Sequence, residues 1–260
     1  MKIIEQFSLK GKVALLTGAA GLYGRQILRA LAEAGATTCI ASRDKEALEK
    51  VAHSHRTQGS EIHTFTLDQS DEKSILELKE RIQEKFGAIH ILVNNAVARP
   101  AGKGYLYATA SEIERSMAVN ATGIILLTRA IGEILKEYGS IINIGSMMGL
   151  VGLEPLNYRG TEMDGWHADY FFHKGGMANL TRFLASFYGP RGIRVNCIHP
   201  GGLAQPSQPS QFQINYSERT CLGRLANDTD LMGIIVFLAS DASRYITGTN
   251  IPVDGGYTAK

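Results

Sequence analysis

The chain has 260 residues, of which 44% are hydrophobic, and its 27 basic and 25 acidic side chains give a formal net charge of +2. The length suffices for a large core, and the scattered basic residues argue against a nucleic-acid tail or a polybasic membrane patch. Three cysteines, Cys39, Cys197 and Cys221, lack metal-ligand spacing. With no signal peptide and no apolar run of membrane length, they predict a cytoplasmic protein without a metal site.

The first element begins a dinucleotide-binding pattern. Val13–Leu16 is predicted to be a buried strand, followed by the glycine-rich turn Gly18–Gly24 and the helical pattern Arg25–Ala34. In this context glycines let the backbone approach a pyrophosphate at the helix N-terminus, although an ordinary strand-to-helix turn is the alternative. The candidate cofactor residues here are Thr17, Gly18, Gly21, Leu22, Tyr23 and Gly24.

The second predicted strand, Gly35–Ala41, ends in Ser42 and Arg43. In a dinucleotide-binding unit this corner faces the adenosine ribose, where an acidic residue binds the 2′-hydroxyl of NAD and an arginine accommodates the 2′-phosphate of NADP. Arg43, with the Ser42 hydroxyl, therefore favours NADP, and NAD is the alternative. Asp44 follows directly and can instead cap the next helix.

The rest of the chain continues the alternation of strands and helices. The further predicted strands are Glu61–Leu67, Ile89–Val93, Ser140–Ile144, Ile193–Ile198 and Asn250–Val253, and the further helices are Ser74–Phe86, Ser111–Leu135, Tyr170 to about Tyr188, and Leu231–Leu238. Residues 205–213, rich in Pro, Ser and Gln, are predicted to be a mobile surface loop. The alternation predicts an α/β fold with one doubly wound parallel sheet and helices on both faces.

Ligands of such sheets bind at the carboxyl ends of the strands. The candidate cofactor residues at these ends are Leu67, Asp68, Asn94, Asn95, Ala96, Pro200, Gly201 and Leu203, and Ser146 follows another strand. Asp68 has two equally good interpretations, as acceptor for the adenine amino group or as cap of the following helix.

Tyr170 and Lys174 form the candidate catalytic pair. Residues four apart lie on one face of a helix, so the phenol and the ammonium can point into one site. A free phenol titrates near pH ~10, and a nearby cation favours its charged form. A tyrosine in this setting can exchange a proton with a carbonyl or alcohol oxygen. The pair alone also occurs by chance, and the coincidence of ligand-type residues at the strand ends supports the catalytic interpretation.

These features resemble the classical short-chain dehydrogenase/reductase superfamily over nearly the whole chain. The matching pieces are Thr17-Gly18 with Gly24, Asp68, Asn94-Asn95-Ala96, Asn120, Ser146, Tyr170 with Lys174, Arg194-Val195-Asn196, Pro200-Gly201, Gly223-Arg224 and the segment from Phe237 to Gly256. The resemblance implies one Rossmann-type domain over residues 1–260. A cofactor half covers about 10–145, and a catalytic and substrate half covers about 146–260.

The resemblance also implies a role for each catalytic residue. Tyr170 would be the general acid-base, and Lys174 would hold the nicotinamide ribose and favour the phenolate. Ser146 would hydrogen-bond the substrate oxygen, and Asn120 would maintain a water relay behind the lysine. The cofactor would supply the hydride. The family further implies a homodimer or homotetramer.

Four features depart from the family pattern. Leu22 stands where these proteins usually have glycine, and Val97 stands where the Asn-Asn-Ala motif usually ends in glycine. The usual threonine that follows Pro-Gly and touches the nicotinamide is replaced near Gln205. An insertion, Glu154–Asp169, lengthens the segment between the candidate serine and tyrosine. These departures concern loop geometry rather than chemistry.

The inserted loop, about residues 154–169, is predicted to form a wall of the substrate pocket. It contains Tyr158, Arg159, Glu162, Asp164, Trp166 and His167. Aromatic faces with carboxylates suit a polyhydroxylated ligand, whereas a long acyl chain favours a uniformly apolar wall. We therefore expect interconversion of a secondary alcohol and a ketone on a sugar, polyol or sugar acid. Arg99, Lys103 and Arg159 can hold a phosphate or carboxylate on it, or can be ordinary surface residues.

Other functions fit the same motifs. A 3-oxoacyl-thioester (acyl carrier protein) reductase matches the overall pattern equally well, and a general carbonyl reductase is a third candidate. A cofactor-binding sensor or scaffold without turnover is the non-enzyme alternative, against which the complete set of catalytic residues argues.

Overall fold

The computed structural model describes residues 2–99, 104–163 and 166–260. Its centre is a seven-stranded parallel sheet in the order β3-β2-β1-β4-β5-β6-β7. The strands are β1 (Val13–Thr17), β2 (Thr37–Ser42), β3 (Ile62–Thr66), β4 (Ile89–Asn94), β5 (Leu135–Ile144), β6 (Arg194–Pro200) and β7 (Asn250–Val253). The predicted doubly wound parallel sheet is confirmed.

Eight α-helices flank the sheet within the described ranges. They are α1 (Leu22–Glu33), α2 (Lys45–Arg56), α3 (Glu72–Phe86), α4 (Ala110–Met117), α5 (Ile124–Glu133), α6 (Ala168–Tyr188), α7 (Ser210–Arg219) and α8 (Met232–Ala239). None of these helices combines the length and the apolar character needed to cross a membrane.

The two sheet faces carry separate cores because successive side chains of a strand point to opposite faces. In β1, Ala14 and Leu16 pack with α1, α2 and α8, whereas Leu15 packs with α3, α5 and α6. Strands buried on both faces are short runs of apolar residues, which is why the sequence pattern located them.

The predicted single helix Ser111–Leu135 is wrong in two respects. The chain forms α4, then a π-helical turn over Ala118–Gly123, and then α5, which ends at Glu133. A side chain at Gly123 would collide with the carbonyl oxygen of Gln69, so the helix approaches the loop after β3 very closely at this turn. The helix ends early because β5 already begins at Leu135, where it pairs with Ile89.

The predicted loop 205–213 is also wrong in part, because α7 begins at Ser210. Phe212 and Tyr216 lie one helical turn apart and are buried against Met147 and Tyr257. Two apolar anchors in an otherwise polar helix give a weak sequence pattern. The burial of these two rings nevertheless holds the helix against the body of the protein.

Candidate active site

The turn after β1 needs glycine at two positions because other backbone groups of this chain pack closely against it. Gly18 has a φ of +69°, and a side chain there would come within 2.8 Å of the Ala96 Cα. A side chain at Gly24 would collide with the Gly18 carbonyl. Gly21 is the N-cap of α1, so the unpaired N–H groups of that helix begin at the turn. These residues fit a pyrophosphate-binding turn.

Thr17 and Asn95 brace this turn rather than facing outward. The Thr17 hydroxyl accepts hydrogen bonds from the backbone N–H groups of Asn95 (3.1 Å) and Ala96 (3.0 Å). The Asn95 amide donates to the carbonyls of Thr17 and Gly18. Asn94 is buried and donates to Thr128 and to Asn143. Thr17 and Asn95 therefore hold the ends of β1 and β4 together, and Asn94 ties β4 to β5 and α5.

Two of the sequence departures are accommodated without strain. Leu22 is the first residue of α1, and its side chain is exposed. Val97 is also exposed. Among the residues that the structure describes, Tyr138 is the only non-glycine residue with a positive φ. A glycine is therefore not required at either position for conformational reasons.

The end of β2 presents an arginine, and the nearby acidic residue is engaged elsewhere. Asp44 is the N-cap of α2, and its carboxylate accepts from the Ala47 N–H at 2.9 Å. Arg43 is exposed beside it. The Ser42 hydroxyl donates to the Asp44 carbonyl. Of the two sequence interpretations of Asp44, the helix cap is the one that the structure has.

Asp68 stands at the opposite side of this corner, beyond β3. Its carboxylate accepts hydrogen bonds from the backbone N–H and the hydroxyl of Ser70, and these bonds lower its pKa. The positive charge of Arg43 lowers the same pKa, which places the two groups near each other. The cap of α3 is Asp71, not Asp68. Leu67 is buried, and its N–H donates to the Ser42 carbonyl.

Tyr170 and Lys174 face the same side of α6, as predicted. The Lys174 Nζ lies 5.8 Å from the centroid of the Tyr170 ring. It donates to the Ile144 carbonyl at 2.7 Å, at the end of β5. Lys174 is only 4% exposed, and this burial lowers its pKa to about 8, with the charge of Arg99 acting in the same direction.

Ser146 follows β5, two residues after Ile144, whose carbonyl accepts from Lys174. It caps a short 3-10 turn over Met147–Gly149, and its hydroxyl accepts from the Met148 N–H. The turn packs closely on α6, because a side chain at Gly149 would collide with the Lys174 carbonyl. The Ser146 carbonyl accepts from the His199 Nδ1 at 2.8 Å. The structure thus joins the ends of β5 and β6 to the N-terminal part of α6.

Asn120 lies in the π-helical turn and is held by both atoms of its carboxamide. The Asn120 Oδ1 accepts from the Ala98 N–H at 2.9 Å, and its Nδ2 donates to the Ala98 carbonyl at 2.7 Å. The Nδ2 also donates to the Ser116 hydroxyl at 3.1 Å. The Ser116 hydroxyl donates in turn to the carboxylate of Asp169.

His173 lies between Tyr170 and Lys174 on α6 and is buried. Its ring meets the Tyr170 ring edge-on with centroids 5.2 Å apart. Neither ring nitrogen has a hydrogen-bond partner in the described part of the chain. Burial and, as a smaller effect, the neighbouring charge of Lys174 lower the pKa of His173 to about 4. His173 is therefore neutral at neutral pH.

Two tyrosines clamp the loop after β6. The Tyr23 hydroxyl donates to the Gly201 carbonyl at 2.8 Å, and the Gly202 N–H donates to the Tyr216 hydroxyl at 2.6 Å. Burial raises the pKa of both phenols. Leu203 forms a bridge with Ala226. The loop that follows β6 is thereby tied to the start of α1 and to α7.

The inserted loop is anchored to α7 and to residues near Tyr257. Its residues 155–158 form a 3-10 turn, and the Asn157 amide donates to the Tyr257 hydroxyl at 2.7 Å. Glu154 pairs with Arg219 at 3.1 Å. Tyr158 packs against Phe212. Tyr158, which was expected to line the substrate pocket, therefore also helps to fix the loop.

Two of the three basic residues that were candidates for anion binding are described by the structure. Arg99 and Arg159 are exposed, and Lys103, like Asp164 of the inserted loop, lies outside the described residues. Arg99 is close enough to lower the pKa of Lys174. Over residues 2–99, 104–163 and 166–260, no group of three or more His, Cys, Asp or Glu side chains is placed to hold a metal ion.

Ser116, Asp169 and Tyr216 contribute to the site but were not predicted from the sequence. Asp169 precedes Tyr170 directly, and Ser116 lies one helical turn before Asn120, so both had a positional signal. Nothing in the sequence indicated that the two side chains meet. Tyr216 had no signal, because α7 itself was not recognised.

Several known oxidoreductases are similar to this chain over nearly its whole length. A family model described as enoyl-(acyl carrier protein) reductase matches residues 18–258. A meso-2,3-butanediol dehydrogenase of Serratia marcescens is 33% identical over 95% of each chain. A 3-oxoacyl-(acyl-carrier-protein) reductase of Thermotoga maritima is 30% identical over 95% of this chain and 98% of the other. A gluconate 5-dehydrogenase of Burkholderia cenocepacia, solved with NADP and tartrate, is 27% identical, with a TM-score of 0.88 over 99% of both chains.

Proposed function

Because the chain belongs to the classical short-chain dehydrogenase/reductase superfamily, we propose that it interconverts a secondary alcohol and a ketone on a sugar, polyol or sugar acid, with NADP as the preferred cofactor. The observation that carries the proposal is the buried Lys174, which lies beside the Tyr170 ring and donates to Ile144 at the end of β5, two residues before Ser146. A buried cation beside a phenol is the arrangement that proton exchange with a carbonyl oxygen needs.

In the reducing direction, each residue has one task. Ser146 donates a hydrogen bond to the substrate carbonyl oxygen and fixes its position. The Tyr170 phenol gives its proton to that oxygen, and the Lys174 ammonium stabilises the phenolate that results. The nicotinamide supplies the hydride to the carbonyl carbon when the cofactor is bound. In the oxidising direction, Tyr170 takes the proton back from the alcohol.

The cofactor half, about residues 10–145, would hold the dinucleotide along the strand ends. The turn from Gly18 to Gly24 would bind the pyrophosphate, and Lys174 would bind the nicotinamide ribose. The catalytic and substrate half, about residues 146–260, would supply Ser146, Tyr170 and the inserted loop. The scattered cysteines support a cytoplasmic location for the protein.

NADP preference is supported by the corner at the end of β2. Arg43 is exposed there, while Asp44 is used as a helix cap. We expect Arg43→Ala to raise the KM for NADP by about 10-fold or more and to change the KM for NAD by less than about twofold, because only NADP carries the 2′-phosphate. Steady-state kinetics with both cofactors measures this. Arg244→Ala, at another exposed arginine, is the control. Equal losses with the two cofactors would refute the assignment.

The substrate class is supported by two similar proteins. One relative is named for a diol, and one solved neighbour is a gluconate dehydrogenase with bound tartrate. A panel of sugars, polyols and sugar acids, assayed beside 3-hydroxyacyl thioesters with NADP and NAD, tests the proposal. We expect turnover of at least one polyhydroxylated group at a kcat/KM at least about 100-fold above that of the thioesters, which a difference of ~3 kcal/mol in transition-state binding produces. Turnover of thioesters alone would contradict it.

The second candidate is a 3-oxoacyl-thioester reductase. It is favoured by the relative from Thermotoga maritima and by the description of the matching family model. The same panel distinguishes it, because a thioester substrate carries a long apolar chain that the anchored, polar loop of this protein suits poorly.

A homo-oligomer is supported by an exposed apolar face of α6. Phe172, Phe183 and Phe187 are all exposed and recur at helical spacing, and Ile125 of α5 is exposed as well. We expect Phe187→Glu to shift the mass measured by light scattering at micromolar concentration toward that of a monomer, because a carboxylate in an apolar interface is desolvated. Tyr245→Glu is the control, since Tyr245 is fully exposed. A monomeric parent protein would contradict the proposal.

A further inference from the structure

A buried chain of hydrogen bonds connects three parts of the candidate site. It starts at the Asp169 carboxylate in the first turn of α6, passes through the Ser116 hydroxyl on α4, and reaches the Asn120 carboxamide in the π-helical turn. It ends on both backbone groups of Ala98, in the loop after β4. Asp169 is only 8% exposed, and Ser116 and Asn120 are more deeply buried.

The direction of these hydrogen bonds follows from the Asp169 carboxylate, which ends the series. A carboxylate only accepts, so the single proton of the Ser116 hydroxyl is donated to Asp169. The lone pairs of Ser116 are then left for a donor, which is the Asn120 Nδ2 at 3.1 Å. A flipped carboxamide would place its oxygen against these lone pairs and against the Ala98 carbonyl. Only one orientation of Asn120 satisfies all partners.

We propose that Asp169 and Ser116 are positioning residues of the catalytic centre. Asp169 fixes the Ser116 hydroxyl, and Ser116 fixes the Asn120 carboxamide against Ala98. The inference rests on the proposed function, which assigns Asn120 and Tyr170 to catalysis. The inference adds two residues to the candidate site. Through their hydrogen bonds, the first turn of α6 keeps a fixed position relative to the loop that carries Ala96 and Arg99.

Asp169 is adjacent to the proposed catalytic tyrosine in the sequence. It is the residue before Tyr170, so the bond that holds Asp169 also holds the turn that presents the catalytic phenol. At the other end, Ala98 lies between Ala96, which contacts Gly18 of the cofactor turn, and Arg99, whose charge reaches Lys174. The hydrogen bonds of Asn120 to Ala98 therefore connect the turn that presents Tyr170 to the loop that leads to Arg99.

Kinetics of two single variants and their double variant test the proposal. Ser116→Ala removes the connecting hydroxyl at a helical position that favours alanine, and Asp169→Ala removes the acceptor of the Ser116 hydroxyl proton. We expect each to lower kcat by about 10-fold, with the KM for NADP within about twofold of the parent, because positioning is lost rather than cofactor binding. The double variant is expected to be no slower than Ser116→Ala, because both substitutions interrupt the same series of hydrogen bonds.

Two controls separate positioning from a general structural role. Ser116→Thr keeps the hydroxyl and is expected to restore kcat to within about threefold of the parent. Ser111→Ala changes an exposed serine of the same helix and is expected to have no effect. Thermal unfolding of every variant is followed in parallel. Losses of kcat that multiply in the double variant, or an unchanged kcat in both single variants, would overturn the proposal.

A crystal structure of Ser116→Ala provides a readout that needs no substrate. We expect the Asn120 carboxamide to leave at least one of its two bonds to Ala98. An unmoved carboxamide would overturn the inference. The kinetic assays use whichever alcohol or ketone of the panel the parent protein turns over, so an error in the substrate class does not affect them. Retained turnover in Tyr170→Phe would refute the proposed function alone, because the crystal structure still reports on Asn120.

Discussion

Tyr170→Phe is expected to lower kcat by about 10³-fold while the Kd for NADP stays within about twofold of the parent value. In the proposed mechanism the phenol proton goes to the substrate oxygen as the hydride goes to the carbon, and phenylalanine keeps the ring but has no proton to give. The ring contacts to His173 and Lys174 are retained, so the fold of α6 has no reason to change.

The experiment combines steady-state turnover with cofactor binding followed by fluorescence. Tyr245→Phe makes the same chemical change at a fully exposed residue and should leave both quantities unchanged. If Tyr170→Phe keeps more than a tenth of the parent activity, another group delivers the proton and the assignment of Tyr170 fails.

Lys174→Met is expected to reduce turnover by about 100-fold or more and at the same time to raise the stability of the protein. Burial lowers the pKa of Lys174 from 10.5 to about 8. Keeping a buried group charged at neutral pH therefore opposes folding by about 3 kcal/mol. Methionine fills a similar volume without a charge. The lost bond to the Ile144 carbonyl offsets about 1 kcal/mol of the gain.

The pH dependence gives this prediction a sign that can be checked. Below pH 8 the lysine is protonated in both states, so its full opposition to folding is present. Between pH 8 and 10.5 the native state has released the proton and the unfolded state still holds it, so the parent protein gains stability as the pH rises. The advantage of the variant should therefore shrink over this window.

Thermal unfolding at pH 7 and at pH 10 measures the effect. A gain of about 2 kcal/mol at pH 7 corresponds to a rise in Tm of roughly 5 °C for a chain of this size. Lys73→Met is the control, because the Lys73 side chain is 84% exposed. A Tm below that of the parent at pH 7, or an advantage that does not change with pH, would contradict the prediction.

The sequence predicted the sheet well because each strand is a short apolar run bounded by glycine or polar residues. The π-helical turn was missed for a physical reason. Residues 111–133 have continuous helical spacing, and the interruption depends on how closely Gly123 approaches Gln69, which no local pattern records. Likewise, α7 depends on the burial of only two rings, Phe212 and Tyr216.

The candidate site was predictable where two residue types at a fixed spacing along one helix indicate the chemistry. Tyr170 and Lys174 are such a pair, because helical periodicity alone places them together. Asp169 and Ser116 are not, since their contact joins α4 to α6 across the fold. The corner at the end of β2 was intermediate between these two cases. The sequence offered Arg43 and Asp44 side by side, and only the cap on α2 separated their roles.

The bond between Asn157 and Tyr257 has a consequence for altering substrate range by laboratory evolution. Together with the Glu154–Arg219 ion pair, it connects the inserted loop to positions far away in the sequence. A library confined to residues 154–169 would vary only one side of this interface, and many of its members would lose activity through a mismatched partner. Randomising positions 219 and 257 together with the loop would keep the two surfaces compatible and expose the epistasis between them.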